Sequence, residues 1–254
     1  MMMFFHGLAP LVAPIVGAHL TVLFGWQAVF VFISAYAAVV ALVFLFMFRE
    51  TIPARDPGAL RLAPMARNFC EVSKSLPFWG YTACASAAYG ILFSFLGASA
   101  YVIIEFFGES ETDYSYMFAA TMFGNMLCML AGARLVHRFG VDALLRFGIV
   151  SLTVFAFVLA GFAWVGVHHW FAVIGPMTLC MMSFAFIFPQ SIAGALQPFP
   201  HIAGAASSLI GFVQQLVGAV TGVIVAALSQ GDQLWLAQGV LFWALFGLVA
   251  YWLI

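Results

Sequence analysis

Residues Ala203 to Leu228 read AGAASSLIGFVQQLVGAVTGVIVAAL, an unbroken run without one Asp, Glu, Lys or Arg. About 20 apolar residues in helical form cross the roughly 30 Å of bilayer hydrocarbon, so this run is long enough to span a membrane. Its small and polar residues are ordered. Gly204, Ser208, Gly211, Gln215, Gly218 and Gly222 recur at alternating steps of four and three, which puts them on one side of a helix. Such a small-residue stripe predicts the close approach of a neighbouring helix. Gln214 is turned about 100° away from that stripe, at 3.6 residues per turn. A glutamine facing lipid leaves its amide unpaired, at roughly 2–7 kcal/mol. Both glutamines are therefore expected to face protein or a wet cavity, Gln215 as a hydrogen bond between helices and Gln214 as a ligand group.

The rest of the chain has the same character. Of its 254 residues 65% are hydrophobic and 7% charged, and the mean hydropathy is +1.12. Soluble domains average about 45–50% apolar and about 25% charged, so a water-covered surface cannot be built from this composition. Eight basic against nine acidic residues leave no cationic face for nucleic acid. Eight charge-free stretches reach spanning length: Phe4–Phe24, Gln27–Phe48, Phe78–Ile104, Tyr114–Ala133, Phe147–Val167, Trp170–Pro189, Ala203–Leu228 and Leu234–Ile254. Period-two alternation is absent, which argues against a β-barrel. The expected fold is an all-α integral membrane bundle of eight transmembrane helices. The N-terminal run lacks the basic start of a cleavable signal peptide. Cys70, Cys84, Cys128 and Cys180 are widely spaced and suggest neither a disulfide nor a zinc site.

Charge sets the orientation. All eight basic residues fall in two connections: Arg49, Arg55, Arg61, Arg67 and Lys74 between spans two and three, and Arg134, Arg138 and Arg146 around the link between spans four and five. Two spans separate these connections, so they share one side, which the positive-inside rule makes the cytoplasm. The other side carries Glu105, Glu109, Glu111, Asp113 and Asp232. Both termini are then expected to be cytoplasmic, in a multi-pass protein of the inner (plasma) membrane. The long connection holds Pro53, Pro57, Gly58 and Pro64 and is expected to be irregular. It divides the chain into two helices at 1–48, a cytoplasmic linker at 49–76 and a six-helix bundle at 77–254. A six-helix block after a long basic loop suggests the second half of a twelve-span transporter, built on repeats around a midplane site.

Three segments carry a family resemblance. The first span contains Ala13-Pro14-Ile15-Val16-Gly17-Ala18 and ends at Gly25-Trp26, with Arg49-Glu50-Thr51 after the second span. The link after span four reads Ala133-Arg134-Leu135-Val136-His137-Arg138-Phe139-Gly140, and Phe188-Pro189-Gln190-Ser191 precedes the run at Ala203. Together these resemble the major facilitator superfamily, and within it the bicyclomycin-resistance-like (Bcr/CflA) drug:proton antiporters. The first segment resembles that family's Gly-Pro-x-x-Gly-Gly helix motif, with alanines at positions 13 and 18 where the family has glycine. The second resembles the Gly-x-Leu-x-Asp-Arg-x-Gly gating loop through Leu135, Arg138 and Gly140, with His137 in place of the Asp. The last resembles the exit of helix ten and the start of helix eleven.

The resemblance covers family helices five to twelve. It implies a major-facilitator bundle and proton-driven efflux of small apolar compounds, drugs among them, by alternating access. The family's coupling carboxylate and its fourth-helix arginine belong to four preceding helices. Implied partners are thus the lipid bilayer, a small-molecule substrate, protons as coupling ion and a missing N-terminal four-helix segment, with no nucleic acid. The alternative is a truncated or split transporter product without transport activity of its own. Candidate cavity residues are Asn125, Gln190, Gln214, Gln215, Tyr89 and Phe93, with Tyr81 and Phe95 as further aromatic candidates.

Other polar residues divide between two roles. Asn125 lies mid-span as a cavity group or a helix–helix hydrogen bond, and His19 lies near the outer end of span one as an interfacial or pore-lining group. His168-His169, between Trp164 and Trp170, fits an interfacial belt. No hydrolase, metalloprotease or phosphate-binding motif and no carboxylate pair within a span is present, so neither an enzyme nor an ATP-driven pump is expected, and no cofactor or metal is implied.

Overall fold

The computed structural model describes residues 2–47, 62–229, 232–252 and 254. Nine α-helices run through them: α1 (Met2–Phe24), α2 (Trp26–Met47), α3 (Leu62–Ser73), α4 (Leu76–Ala100), α5 (Glu111–Phe139), α6 (Val141–Val165), α7 (Trp170–Leu196), α8 (Ala203–Leu228) and α9 (Leu234–Tyr251). A π-helical turn, Tyr101–Phe106, prolongs α4, and a short 3-10 turn, Pro200–Ile202, leads into α8. Each expected span falls on one of these helices. Seven of the described helices, α2 and α4 to α9 with their prolonging turns, are long and apolar enough to cross a membrane. α1 is a further helix of 23 residues, continuous through Pro10 and Pro14. The fold is an all-α membrane bundle, and the protein is multi-pass.

Several boundaries differ from the expected ones; α6, for example, begins at Val141 rather than Phe147. The span placed at Trp170–Pro189 continues through Pro189 to Leu196. Proline is tolerated inside membrane helices because neighbouring groups satisfy the backbone it frees. The stretch Tyr114–Ala133 likewise extends to Glu111 and Phe139. Its N-terminus is capped by Ser110, whose side chain accepts from the backbone N–H of Asp113, and Glu111 and Asp113 complement the helix dipole.

The linker is not wholly irregular. Pro64 sits in the first turn of α3, where proline has no hydrogen bond to lose. Val72 of α3 is fully buried with Phe78 of α4, Ala195 of α7, Phe199, and Ala206 and Ile210 of α8. This docks the linker helix across the ends of three spans. Glu71 and His201 are joined at 3.0 Å on the same side. Arg49, Arg55 and Arg61, with Glu50, Thr51, Pro53, Pro57 and Gly58, lie outside the described residues.

The main core is shared by α4 to α9. α4 is central: it packs against α7, α8 and α9. α6 covers α7 and α9, while α5 packs on α7 and carries α1 on its other side. α2 packs on α1 and has no buried residue. The α4–α8 seam brings backbone close to backbone. A Cβ on Gly97 would sit 2.7 Å from the carbonyl oxygen of Gly222, and one on Gly218 would sit 2.8 Å from the ring of Phe93. These pairs run in the same order along both helices, so α4 and α8 are parallel.

Candidate substrate-binding site

Four aromatic rings form a ladder between α4 and α7. Phe93 lies 5.4 Å from Tyr89, Tyr89 stacks on Phe188 at 5.5 Å, and Phe188 stacks on Phe184 at 5.1 Å, centroid to centroid. Tyr89 and Phe93 are one helical turn apart on α4, and Phe184 and Phe188 are one turn apart on α7, so the backbone spacing itself builds the ladder. Tyr89, Phe93 and Phe188 are half-buried. Offset aromatic rings at 4.5–7 Å offer a flat, polarisable wall that suits many apolar shapes.

Gln214 joins this wall from α8. It lies one turn before Gly218, which Phe93 touches, and the parallel register brings it level with Tyr89. Gln214 is buried, yet its amide nitrogen has no hydrogen-bond partner. A buried donor left unsatisfied costs about 1–3 kcal/mol, which a ligand acceptor would return. Thr82 and Ser86, on α4 below Tyr89, are also buried with hydroxyl groups that lack partners. Tyr89, Phe93 and Gln214 are thereby brought together.

The other candidates go elsewhere. Asn125 is buried on the α5–α7 seam, where its Nδ2 donates to the carbonyl of Met181 at 2.6 Å. One turn earlier the hydroxyl groups of Thr121 and Thr178 meet at 3.0 Å across the same seam. Gln190 is buried beside a separate cavity of about 100 Å³, lined also by Met129, Val136, Pro189 and Ala193, and its Oε1 has no partner. Gln215 is exposed rather than buried between helices. The small-residue stripe explains this: Gly218 and Gly222 pack on α4, but around Gly204 and Gly211 nothing lies within 4 Å. The stripe therefore serves two surfaces, with its first half unpacked. His19 Nδ1 is hydrogen-bonded to the Ile15 carbonyl at 2.8 Å within α1. Of the first-span motif, Ala13 is exposed, Ala18 is half-buried, and nothing lies within 4 Å of Gly17; the side chain of Pro14 lies outside the described residues.

The loop between α5 and α6 is a single residue. Gly140 takes φ +82° and donates its N–H to the Val136 carbonyl at 2.9 Å, closing α5 and opening α6 at once. That positive φ requires glycine at low cost. Leu135, His137 and Arg138 are exposed on the last turns of α5. The charged contact of this corner comes from Asp142, which sequence reading passed over: Tyr81 on α4, expected as a cavity aromatic, instead donates its hydroxyl to Asp142 on α6 at 2.7 Å. Phe184 was not singled out and Phe188 was read only as part of the segment before Ala203, not as a cavity group, because 29 phenylalanines give no one of them a distinguishing pattern. The spacing of two aromatics at i and i+4 on α7, matching Tyr89 and Phe93 on α4, was the available signal. His169 proves to be a helix cap, its Nδ1 accepting from the N–H of Phe171.

Comparison with known proteins adds the family. The chain is 32% identical over 226 residues to "Bicyclomycin resistance protein homolog" of Haemophilus influenzae, covering 87% of this chain and 56% of that protein. It is 29% identical over 216 residues to "Multidrug resistance protein MdtL" of Salmonella paratyphi B, covering 82% of this chain and 51% of that protein. The chain thus spans about half the length of the curated relatives it matches. A family model described as Major Facilitator Superfamily matches residues 1–222. With its long apolar helices and this match, the chain belongs to the major facilitator superfamily, a family of membrane transporters rather than enzymes.

Proposed function

We propose that the chain works in proton-driven efflux of small, largely apolar compounds, drugs among them, by alternating access in the inner membrane. One observation carries the reading: an aromatic ladder from Phe93 to Phe184 stands beside the buried, unpartnered amide of Gln214. An apolar wall with one polar anchor is the composition of a pocket that binds apolar ligands broadly and orients them weakly. Tyr89, Phe93 and Gln214 are the substrate contacts on this reading, with Phe184 and Phe188. Gln190 acts through the smaller cavity, and Gln215 lines a surface that meets a further segment. Leu135, His137, Arg138 and Gly140 form the cytoplasmic gate, and Ala13, Pro14, Gly17 and Ala18 form the packing face of α1. Proton coupling is assigned to a group outside these 254 residues, since the charge-free spans hold no carboxylate.

The resistance-protein names of the matched relatives support the substrate class. The relatives' greater length favours a second reading, in which the chain alone does not transport. The test is uptake of lipophilic fluorescent dyes into energised everted vesicles, whose outer face is the cytoplasmic one. One preparation holds the chain alone, and another holds the chain with a polypeptide covering the remainder of a matched relative. Gradient-driven uptake is expected in the second and its loss on adding a protonophore. In that preparation Gln214→Ala should shift the relative export of hydrogen-bonding and purely apolar dyes by roughly tenfold, the worth of one neutral hydrogen bond. An unchanged dye profile in both Gln214→Ala and Phe188→Ala would sink the assignment of this wall.

A further inference from the structure

α5 and α6 are adjacent in sequence but diverge, and α7 forms the floor between them. The result is a lateral cavity of about 660 Å³, walled by Leu135 and Phe139 of α5 and by Ala143, Phe147 and Phe155 of α6, with Phe186 of α7 on its floor. It is separate from the aromatic ladder. Its two hydroxyl groups are already engaged: Ser151 donates to Ser183 at 2.9 Å, and Ser183 donates to the Leu179 carbonyl at 3.0 Å. The groove therefore offers no free polar anchor along its length. It suits a hydrocarbon chain.

Its extent and its charge narrow the occupant. Cys128 and Phe139 mark its ends on α5, about 16 Å apart at 1.5 Å per residue, and Ala143 and Phe155 mark them on α6, about 18 Å apart. One leaflet of hydrocarbon is about 15 Å deep. The groove thus runs from the α5–α6 corner to mid-membrane, the reach of one acyl chain. At the corner stand Arg134, Arg138 and Arg146, all exposed. The Arg138 guanidinium lies 5.6 Å over the ring of Phe139, which is itself part of the groove wall. Arg146 lies one turn along α6 from Ala143. Among the described residues none of these arginines is in an ion pair, and the neighbouring Asp142 accepts its hydrogen bond from Tyr81.

We propose that this groove is a binding site for an anionic phospholipid, with one acyl chain between α5 and α6 and the phosphate on Arg138 and Arg146. Arginine forks match phosphate oxygens bidentately, and basic clusters at a membrane-helix end favour anionic headgroups. This lipid site is independent of which compound the protein moves. Because the groove wall spans the gating corner, an occupied groove braces α5 against α6.

The test uses the purified 254-residue chain in nanodiscs of phosphatidylcholine titrated with phosphatidylglycerol, with bound lipid counted by native mass spectrometry. Phosphatidylglycerol is expected to be retained at least tenfold over phosphatidylcholine. The exposed double variant Arg138→Gln/Arg146→Gln, which touches no core, should reduce that preference to about one. Ala143→Trp should lower retention of both lipids by filling the groove. Equal retention of the two headgroups by the unmodified chain would overturn the proposal, as would an unaltered preference in the double variant. One-for-one displacement of bound lipid by a lipophilic dye would also overturn it, by making the groove a substrate site.

Discussion

At the scale of single residues, the polar groups inside the bundle separate by whether their hydrogen bonds are met. Asn125 has its partner, the Met181 carbonyl, and works as a clamp between α5 and α7. Hydrogen bonds between membrane helices are worth about 0.6 kcal/mol on average and up to about 1.7. Asn125→Ala should therefore lower stability by about 1 kcal/mol, read as a shifted thermal unfolding midpoint in detergent, while leaving the dye profile unchanged. A changed profile with unchanged stability would instead put Asn125 in the substrate path. Gln214 has the opposite character. Its buried amide nitrogen is unpaired, so Gln214→Ala removes an unsatisfied donor and should keep or slightly raise stability.

At the scale of elements, glycine placement decides which helices touch. α4 and α8 approach until Gly97 meets the Gly222 backbone, and backbone cannot rotate out of the way. Gly97→Leu should force the pair apart at about 1–3 kcal/mol or more and cut the yield of monodisperse protein. Gly211 lies in the same periodic stripe, yet nothing lies within 4 Å of it. Gly211→Leu should leave the yield of this chain nearly intact. Equal loss in both variants would show that the first half of the stripe is packed after all. Reading the stripe from sequence gave the right spacing but treated all of it as one seam. Periodicity reports which residues share a face; it does not report how many partners that face has.

For the whole molecule, sidedness is the open quantity that the linker makes measurable. Cys70 is exposed on α3, between Arg67 and Lys74, whereas Cys84 and Cys180 are buried and Cys128 lines the lateral groove. A membrane-impermeant maleimide should label Cys70 in everted vesicles and not in intact cells. Labelling from outside would reverse the orientation drawn from the basic connections. The docking of α3 through Val72 also means that Val72→Asp should release the linker helix from the ends of α4, α7 and α8. Faster protease cleavage after Arg67, with the spans still folded, would register that release.

The amino-acid sequence alone determined the solvent, the element type and the positions of the spans. Lipid admits only backbone that satisfies its own hydrogen bonds, so long charge-free runs have one outcome. Gly25 and Gly140, quoted above within the family-like segments, take φ +83° and +82° between consecutive helices. Tertiary structure decided the rest. In a chain this apolar, hydrophobicity does not separate a core face from a lipid face, so Phe188 in the ladder and Phe212, 65% exposed, look alike in sequence. Likewise Gln214 and Gln215 are adjacent and chemically identical, and only the packing of α8 against α4 buries one and exposes the other. Membrane helices associate through steric fit and a few directional hydrogen bonds rather than through water exclusion, and that fit exists only once both surfaces have met.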